Sequence, residues 1–468
     1  MPGQHILSRR AIAGIVAPAI LLLTFAAWRQ GEARGGARAA TVSYPQEVAR
    51  VTFAAAGDVI PHQAVVRAAE EQTAARAPAG PARESLTGSS SAQAAAGDHA
   101  GWDVLFAEVA GAFRQADFGF VNLETPVAPR HSQGSKPFQF EAPVALLQSL
   151  GFNGVKIVSF ANNHVFDQGY AGFAETLEHL REQGLLFVGA GDTAEAAWKP
   201  LILEKNGIKV GWLGMTRWLN GGRNPAKESE PHVAFSPYPG ESLGAPGADE
   251  SAVLEAVKAA RAQCDLLVVS IHWSNEYAEA PRPEDVELAH KMLEAGASVV
   301  VGHHPHVLQP LETYLTQDQR NTVIFYSLGN FLSNQSRHFV QGLMPDKTGE
   351  PRDSMMIKFA AVKKDYGPAG VRVELGDVGI LPLWTENNTL QVRSGRAKVP
   401  LIRPVFIDRE IPRLQARLEE LQRLGAQINA EQKLELVQVS SQLQLLKHRR
   451  ELILERTGDD YVVPPPNP

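Results

Sequence analysis

Three imidazoles lie within four residues in the segment His303-His304-Pro305-His306, which follows a short apolar run. Histidines concentrated at such a point have few purely structural explanations, since each buried ring must find a hydrogen-bond partner or a metal. Cys264 is the single cysteine, which excludes an intrachain disulfide and a cysteine-rich zinc cluster. A metal bound by this chain would therefore be held by histidine, asparagine and carboxylate side chains.

Further polar residues stand directly after other apolar runs along the chain. Each one alone has an ordinary explanation, such as a turn cap or a core histidine that hydrogen-bonds locally. Together they supply carboxylate, amide and imidazole groups, a mixed oxygen and nitrogen set that suits Zn, Mn or Fe. The candidate metal ligands are Asp58, His62, Glu124, Asn163, His272, His304 and His306.

The residue after Asn163 is a candidate catalytic group. His164 lies beside a predicted ligand without being one, which is a suitable position for a general acid. Asp167 could orient the His164 ring by accepting its other N–H. Two divalent ions about 3.5–4 Å apart could share a bridging carboxylate and clamp the attacking and leaving oxygens of a phosphoryl centre.

These polar residues require a scaffold that brings distant segments together. Six short apolar runs precede them, and near-continuous apolar runs indicate strands that are buried on both faces of a sheet. Polar residues just past the carboxyl ends of such strands are where open α/β sheets build their sites. The runs cover residues 51–56, 118–121, 155–160, 266–271, 299–301 and 323–328.

Six motifs around these runs closely resemble, in the same order, those of the poly-γ-glutamate capsule synthesis (CapA-like) family. This family is a branch of the calcineurin-like metallophosphatase superfamily. The motifs are GDVIPH, DFGFVNLETPV, SFANNHVFDQG, IHWSNEY, VVGHHPHVLQPLE and IFYSLGNFL. The resemblance covers roughly residues 51–334 and implies a four-layer α/β/β/α sandwich, a metal-dependent hydrolase activity and two divalent ions.

The resemblance also implies roles for the candidate residues, with His164 as the catalytic histidine. The implied ligands are Asp58 and His306 for a first metal, Asn163, His272 and His304 for a second, and Glu124 as the bridge between them.

The chain departs from the superfamily pattern at three positions. Ile60 stands where a ligand histidine is usual, so the first site lacks one ligand unless His62 supplies it. Glu124 replaces a shorter bridging aspartate, and Asp167 stands further from His164 than the usual acidic residue.

The N-terminal 40 residues have the pattern of an export signal or a membrane anchor. Arg9 and Arg10 precede an eighteen-residue apolar run, 11–28, and a small-residue Ala37-Arg38-Ala39 site follows. The run is about long enough to span a bilayer, so both a cleaved signal peptide and a retained anchor stay open. We expect residues 41–468 on the periplasmic or extracellular face of the cytoplasmic membrane.

The remaining organisation is simpler. We expect one catalytic domain over residues 50–400, with a flexible insertion at 74–100 that is rich in Ala, Gly, Pro and Ser. Leucines at helical spacing predict a helical hairpin over 405–457, followed by a Pro-rich tail at 458–468. The hairpin is expected to pack against the catalytic domain, a neighbouring subunit or a partner protein.

The formal net charge is −6, and about −10 once the basic N-terminal 40 residues are left out. This balance argues against a nucleic acid partner, which requires a basic surface.

The leading hypothesis is an exported hydrolase of phosphoester or related bonds in a surface polymer or its precursor, where the polymer is implied only by the resemblance. The alternatives are a non-catalytic metal-binding component of an envelope assembly machine, and amide-bond chemistry on a polyglutamate-like chain.

Overall fold

Two β-sheets lie face to face in the computed structural model, which describes residues 43–76, 99–134, 136–241 and 246–466. The strands are β1 (Gln46–Val59), β2 (Phe118–Leu123), β3 (Val155–Ser159), β4 (Leu186–Val188), β5 (Ala190–Gly191), β6 (Leu201–Lys205), β7 (Ile208–Thr216), β8 (His232–Val233), β9 (Leu266–His272), β10 (Val299–His303), β11 (Leu311–Leu315), β12 (Asn321–Phe325), β13 (Asn330–Leu332), β14 (Asp353–Asp365), β15 (Val371–Asn387) and β16 (Ile402–Phe406). The helices are α1 (Gln63–Arg76), α2 (Ala100–Phe106), α3 (Ala110–Gln115), α4 (Val144–Phe152), α5 (Gly169–Glu182), α6 (Ala194–Ala197), α7 (Glu250–Arg261), α8 (Pro283–Glu294), α9 (Thr389–Arg393), α10 (Ile407–Arg423) and α11 (Ala430–Thr457).

The first sheet has the order β16-β15-β14-β1-β2-β3-β4, and β13 pairs with β1 off this path. The second sheet has the order β11-β12-β10-β9-β7-β6, and β5 and β8 form a separate pair. The strands β1, β2, β3 and β4 run parallel to one another, as do β7, β9, β10 and β12. Parallel neighbours end at the same edge, so each sheet gathers its carboxyl-terminal residues along one rim.

Three hydrophobic cores separate four layers. Between the sheets, Phe120 of the first sheet stacks on Trp212 of the second with ring centroids 4.6 Å apart. The outer face of the first sheet packs against α2, α4 and α5, and that of the second against α7 and α8. The predicted four-layer α/β/β/α sandwich is therefore confirmed, because burial on both faces is what the near-continuous apolar runs require.

All six predicted runs form or overlap strands, and they divide evenly between the sheets. The first three belong to β1, β2 and β3, and the last three to β9, β10 and β12. Asp58 pairs with Asn122 across β1 and β2, and His303 pairs with His272 across β10 and β9. The polar residues at these strand ends therefore lie at the rims of two different sheets.

The predicted C-terminal hairpin is formed by α10 and α11, and it packs against the two-sheet fold. Leu446 of α11 is fully buried in the same core as Trp384 of β15. Arg449 is also fully buried, and its Nε donates to Asp353 Oδ1 at 2.9 Å. The start of the tail continues this packing, because Tyr461 accepts a backbone hydrogen bond of 2.7 Å from Ile380 of β15.

The predicted insertion at 74–100 is shorter than expected at its ends. Residues 74–76 continue α1, and α2 begins at Ala100. Residues 77–98 of the insertion, like the predicted signal or anchor at 1–40, lie outside the described residues. In the part of the chain that the structure describes, no helix is both long enough and apolar enough to cross a membrane.

Candidate metal centre

Asp58 is the second-last residue of β1, in a tightly packed part of the strand. A Cβ atom on the preceding Gly57 would lie 1.8 Å from the carbonyl oxygen of Gly329, so only glycine permits this approach. Asp58 is fully buried and accepts a 2.8 Å hydrogen bond from Asn122 Nδ2. Burial would raise the pKa of Asp58, but the neighbouring imidazoles of His303 and His306 outweigh it and hold the pKa well below its usual range.

Glu124 lies at the centre of the converging side chains. Its Oε1 is 3.7 Å from His272 Nε2, 3.8 Å from His306 Nε2 and 4.0 Å from His164 Nε2. These separations are longer than hydrogen bonds and leave space between the carboxylate and the rings. Burial, and then the Asp58 carboxylate, raise the pKa of Glu124 well above its usual range.

The donor set fits a divalent cation. Glu124 Oε1 and His304 Nδ1 are buried atoms with no hydrogen-bond partner among the described residues. Such atoms are costly to bury unless a cation or water satisfies them. Two groups of side chains could each hold an ion, since the ligand atoms within each group lie within 4.8 Å of one another. One group is Glu124, His304 and His306, and the other is Asp58, Glu124 and His272.

Glu124 belongs to both groups, as its predicted bridging position requires, but the groups divide the other ligands differently from the prediction. The resemblance to the family implied that His304 and His306 bind different ions. Their backbones instead adopt left-handed conformations, with φ of 97° and 60°, which turn both rings towards Glu124. The two rings are therefore close enough to bind one ion, and the assignment of each ligand to a particular metal stays a prediction.

Asn163 and His272 also face each other in this cluster. Asn163 Oδ1 is 2.9 Å from His272 Nε2, while Asn163 Nδ2 donates to Asn220 Oδ1 at 3.1 Å. The second bond orients the amide so that its oxygen points into the centre, as a metal ligand would. Burial, and then the neighbouring His304, hold the pKa of His272 well below its usual range, so the ring is neutral.

His164 and Asp167 form a hydrogen-bonded pair, as the sequence suggested. His164 Nδ1 lies 2.8 Å from Asp167 Oδ2, which also accepts the backbone N–H of Phe140 at 2.6 Å. The Phe140 ring packs on His164 with centroids 4.2 Å apart. These contacts fix the His164 ring and direct its Nε2 towards Glu124 Oε1.

His62 lies outside both groups. Its Nδ1 is 3.1 Å from the Ile60 carbonyl and 3.3 Å from the Asn334 amide nitrogen, and its ring packs against Phe140 at 5.1 Å. Burial lowers the pKa of His62 to about 4, which keeps the ring neutral in an apolar setting. The structure therefore does not bring His62 to the position left by Ile60, because backbone contacts and Phe140 hold it elsewhere.

Several residues that were not among the candidate ligands also support the centre. Asn122 binds Asp58, and Asn162 Oδ1 accepts the backbone N–H of His164 at 3.1 Å. His303 Nδ1 lies 3.2 Å from Asp58 Oδ1. Asn122 and Asn162 each belong to a motif quoted above, and their positions beside predicted ligands were the available signal.

Tyr277, from the motif IHWSNEY, stands at the edge of the centre. Its ring centroid is 6.0 Å from that of His306, and 45% of the residue is exposed. Burial of the remainder, and then the carboxylates of Glu276 and Glu124, raise the pKa of Tyr277 to about 12. Its hydroxyl is therefore protonated at neutral pH.

Comparison with known proteins identifies similar chains. Residues 52–335, more than half of the chain, match the family described as "Bacterial capsule synthesis protein PGA_cap". The "PGA biosynthesis protein CapA" of Bacillus subtilis is 34% identical over 273 residues, which is 57% of this chain and 63% of the relative. The "Capsule biosynthesis protein CapA" of Bacillus anthracis is 31% identical over 239 residues, 50% of this chain and 55% of the relative.

A third relative is the "Probable polyglutamine synthesis accessory protein" of Mycobacterium tuberculosis. It is 28% identical over 225 residues, 47% of this chain and 56% of the relative. The chain thus spans less than two thirds of the length of these relatives.

Proposed function

The chain belongs to the bacterial capsule synthesis protein family PGA_cap, and from this premise we propose that it is a metal-dependent hydrolase in surface-polymer synthesis. Its substrate is a phosphoester or related bond in a poly-γ-glutamate-like polymer or in the precursor of that polymer. The polymer part of the proposal rests on the names of the relatives, which refer to PGA, capsule and polyglutamine synthesis.

The observation that carries the proposal is the His164–Asp167 pair beside the ligand cluster. The 2.8 Å contact with Asp167 favours a proton on His164 Nδ1 and leaves Nε2 facing Glu124 at 4.0 Å. When Nε2 carries a proton as well, a histidine held in this way can pass that proton to a leaving oxygen, and the ring then keeps its proton on Nδ1.

The other side chains of the centre bind and orient. The residues that would hold divalent ions are Asp58, Glu124, Asn163, His272, His304 and His306. When bound, such ions polarise the oxygens of a phosphoryl or carbonyl group and make water more acidic. Asn122 and Asn220 orient two of the ligands, and Phe140 covers one face of His164 and excludes water there.

A second function is favoured by one specific observation. Ile60 replaces a usual ligand, and His62 lies outside both ligand groups. A centre with one ligand fewer could bind metal without turnover, as in a non-catalytic component of an envelope polymer assembly or export machine. Amide-bond cleavage in the polymer is the variant of the hydrolase proposal that the same polar centre would serve.

The proposed location is the outer side of the cytoplasmic membrane, with residues 1–40 as a cleaved signal or an anchor in the membrane. This part of the proposal is supported by Arg9 and Arg10 before the apolar run at 11–28. Alkaline phosphatase fused after Ser43 should be active, since that enzyme folds only when exported. An inactive but stable fusion would contradict the location.

We also propose that the helices α10 and α11 bind a partner protein.

The deciding experiment measures metal content and turnover in one preparation of the full chain. Substrates are an aryl phosphate and a γ-linked glutamate oligomer, assayed before chelation, after chelation and after return of Mn, Zn or Fe. Hydrolysis that depends on metal and is lost in His164→Ala, but not in the control variant His290→Ala, which removes a half-buried histidine on α8, supports the hydrolase. Full metal content with no turnover of either substrate favours the binding component.

A further inference from the structure

Tyr277 adopts a backbone conformation that aromatic residues rarely adopt. Its φ is 60°, and its backbone N–H donates to the carbonyl of Pro305 at 2.7 Å. Pro305 separates His304 and His306, which also have positive φ. Such strain costs free energy and persists where the surrounding structure and function require it. The loop after β9 is therefore held against the histidine loop in a way that leaves the Tyr277 side chain 45% exposed.

A cleft of about 340 Å³ is lined in part by Tyr277. Val307, the residue after His306, forms part of its wall, together with Gln335 and Ser336 from the segment after β13. Lys347, Thr348 and Glu350 line the rest of it. The cleft thus borders the loop that carries His306 of the centre.

The cleft offers uncharged hydrogen-bond donors. The hydroxyls of Tyr277, Ser336 and Thr348 make no hydrogen bond to any described residue. Gln335 Oε1 accepts from Asn330 Nδ2 at 3.0 Å, which leaves the Gln335 amide NH₂ as a donor. Donors of this kind complement carbonyl oxygens.

The charged groups of the cleft are already paired with each other. Lys347 Nζ binds Glu279 at 2.7 Å, and Arg456 NH2 lies 3.1 Å from both Glu279 and Glu350. Two cations and two anions cancel, and Glu276 adds an exposed carboxylate beside Tyr277. The cleft therefore has no excess positive charge with which to select an anionic chain.

We propose that this cleft is a polymer-binding subsite in which Tyr277 and Thr348 recognise the amide main chain of the substrate, not its carboxylate groups. The identity of the polymer rests on the proposed function. The choice of its amide main chain as the contacted part rests on the uncharged donors of the cleft. Tyr277, whose ring centroid lies 6.0 Å from that of His306, is the contact residue beside the centre.

The test measures binding and not turnover. The probes are a fluorescent γ-linked glutamate hexamer and its neutral γ-linked glutamine counterpart, titrated into the full chain carrying His164→Ala so that neither probe is cleaved. The neutral probe should bind at least as tightly as the anionic one, and raising salt from about 0.05 M to about 0.5 M should change either affinity less than about twofold, since screening weakens only charge interactions. Tyr277→Phe and Thr348→Val, which each remove one hydroxyl, should weaken both probes up to about tenfold.

Tyr44→Phe is the matched control, because Tyr44 is 49% exposed and lies before β1, at the opposite end of that strand from Asp58. Tyr44→Phe should bind both probes as tightly as the chain that carries His164→Ala alone. Lys347→Gln should also change the two affinities little. Binding of the anionic probe alone, with steep salt dependence, would overturn the proposal, as would no binding of either probe. So would Tyr277→Phe and Thr348→Val variants that bind as Tyr44→Phe does. Loss of probe binding in those two variants, together with no hydrolysis of either substrate by the unmodified chain, would uphold the subsite while the proposed hydrolase fails.

Discussion

Glu124 and Glu175 are equally buried, at 0% and 1% exposure, yet their surroundings are opposite. Glu175 of α5 accepts hydrogen bonds from the backbone and side chains of Arg130 and His131, and from His179. Glu124 has one weak donor, Asn122 Nδ2 at 3.3 Å, and its Oε1 has none among the described residues.

The pKa values follow this difference. Burial would raise the pKa of both carboxyl groups, and it does so for Glu124. For Glu175 the hydrogen bonds outweigh burial and lower the pKa to about 2. A carboxylate with all its donors stabilises the fold, whereas one held without donors is prepared for a ligand from outside the chain.

The largest expected effect lies on the Glu124 side. His164→Ala should lower the rate about 10²–10⁴-fold, the usual scale for a general acid, while metal content is retained. Metal analysis and initial rates on the same sample provide the measurement. If His164→Ala empties the centre, then His164 is a ligand and the role assigned to it is wrong.

Substitution of Glu175 should change the stability of the fold. Glu175→Gln replaces a charged acceptor of five hydrogen-bonding contacts and should lower the free energy of unfolding by about 1–3 kcal/mol, since bonds to charged groups are the stronger ones. Urea unfolding measures the change. An unchanged urea midpoint would contradict the structural role assigned to Glu175.

The contribution of Glu175 to stability should also depend on pH. Because the folded pKa of Glu175 is about 2 and the unfolded value about 4.3, its contribution is complete above about pH 4.5 and is lost as pH falls towards 2. Unfolding measured at intervals from pH 6 to pH 3 should show a steeper fall for the unmodified chain than for Glu175→Gln. Equal slopes would contradict the assignment.

A smaller effect on stability is expected at the metal centre. Glu124→Gln removes a charge that burial disfavours, so in metal-free protein it should leave the free energy of unfolding unchanged or raise it by about 1 kcal/mol. Metal content should nevertheless fall, because Glu124 belongs to both ligand groups. A destabilised metal-free Glu124→Gln variant would show that this carboxylate has a structural role after all.

The smallest effect should be at His62. Since His62 lies outside both groups and contacts Ile60, Asn334 and Phe140, His62→Ala should keep the metal content of the unmodified chain. His306→Ala is the contrast and should lose part of the metal. Equal losses in the two variants would restore His62 as the ligand that replaces Ile60.

Much of the site could be predicted from local patterns. The apolar runs before Asp58, Asn163 and His272 identified strands, because burial on both faces leaves few polar residues within a strand. The polar residues just past those runs were visible as candidates for the same reason. Resemblance to a known family supplied the order of the motifs and the layered arrangement of the sheets.

The chain's own residues thus determined the strands, the candidate ligands and the His164–Asp167 pair, since each depends on neighbours close in sequence. The tertiary structure alone decided which candidates meet. It brought Asp58 and Glu124 from one sheet to His272 and His306 of the other, and it turned His62 away. Burial and hydrogen-bond partners come from segments far apart in the chain, so no local pattern could foretell that one buried glutamate would be satisfied and another left open.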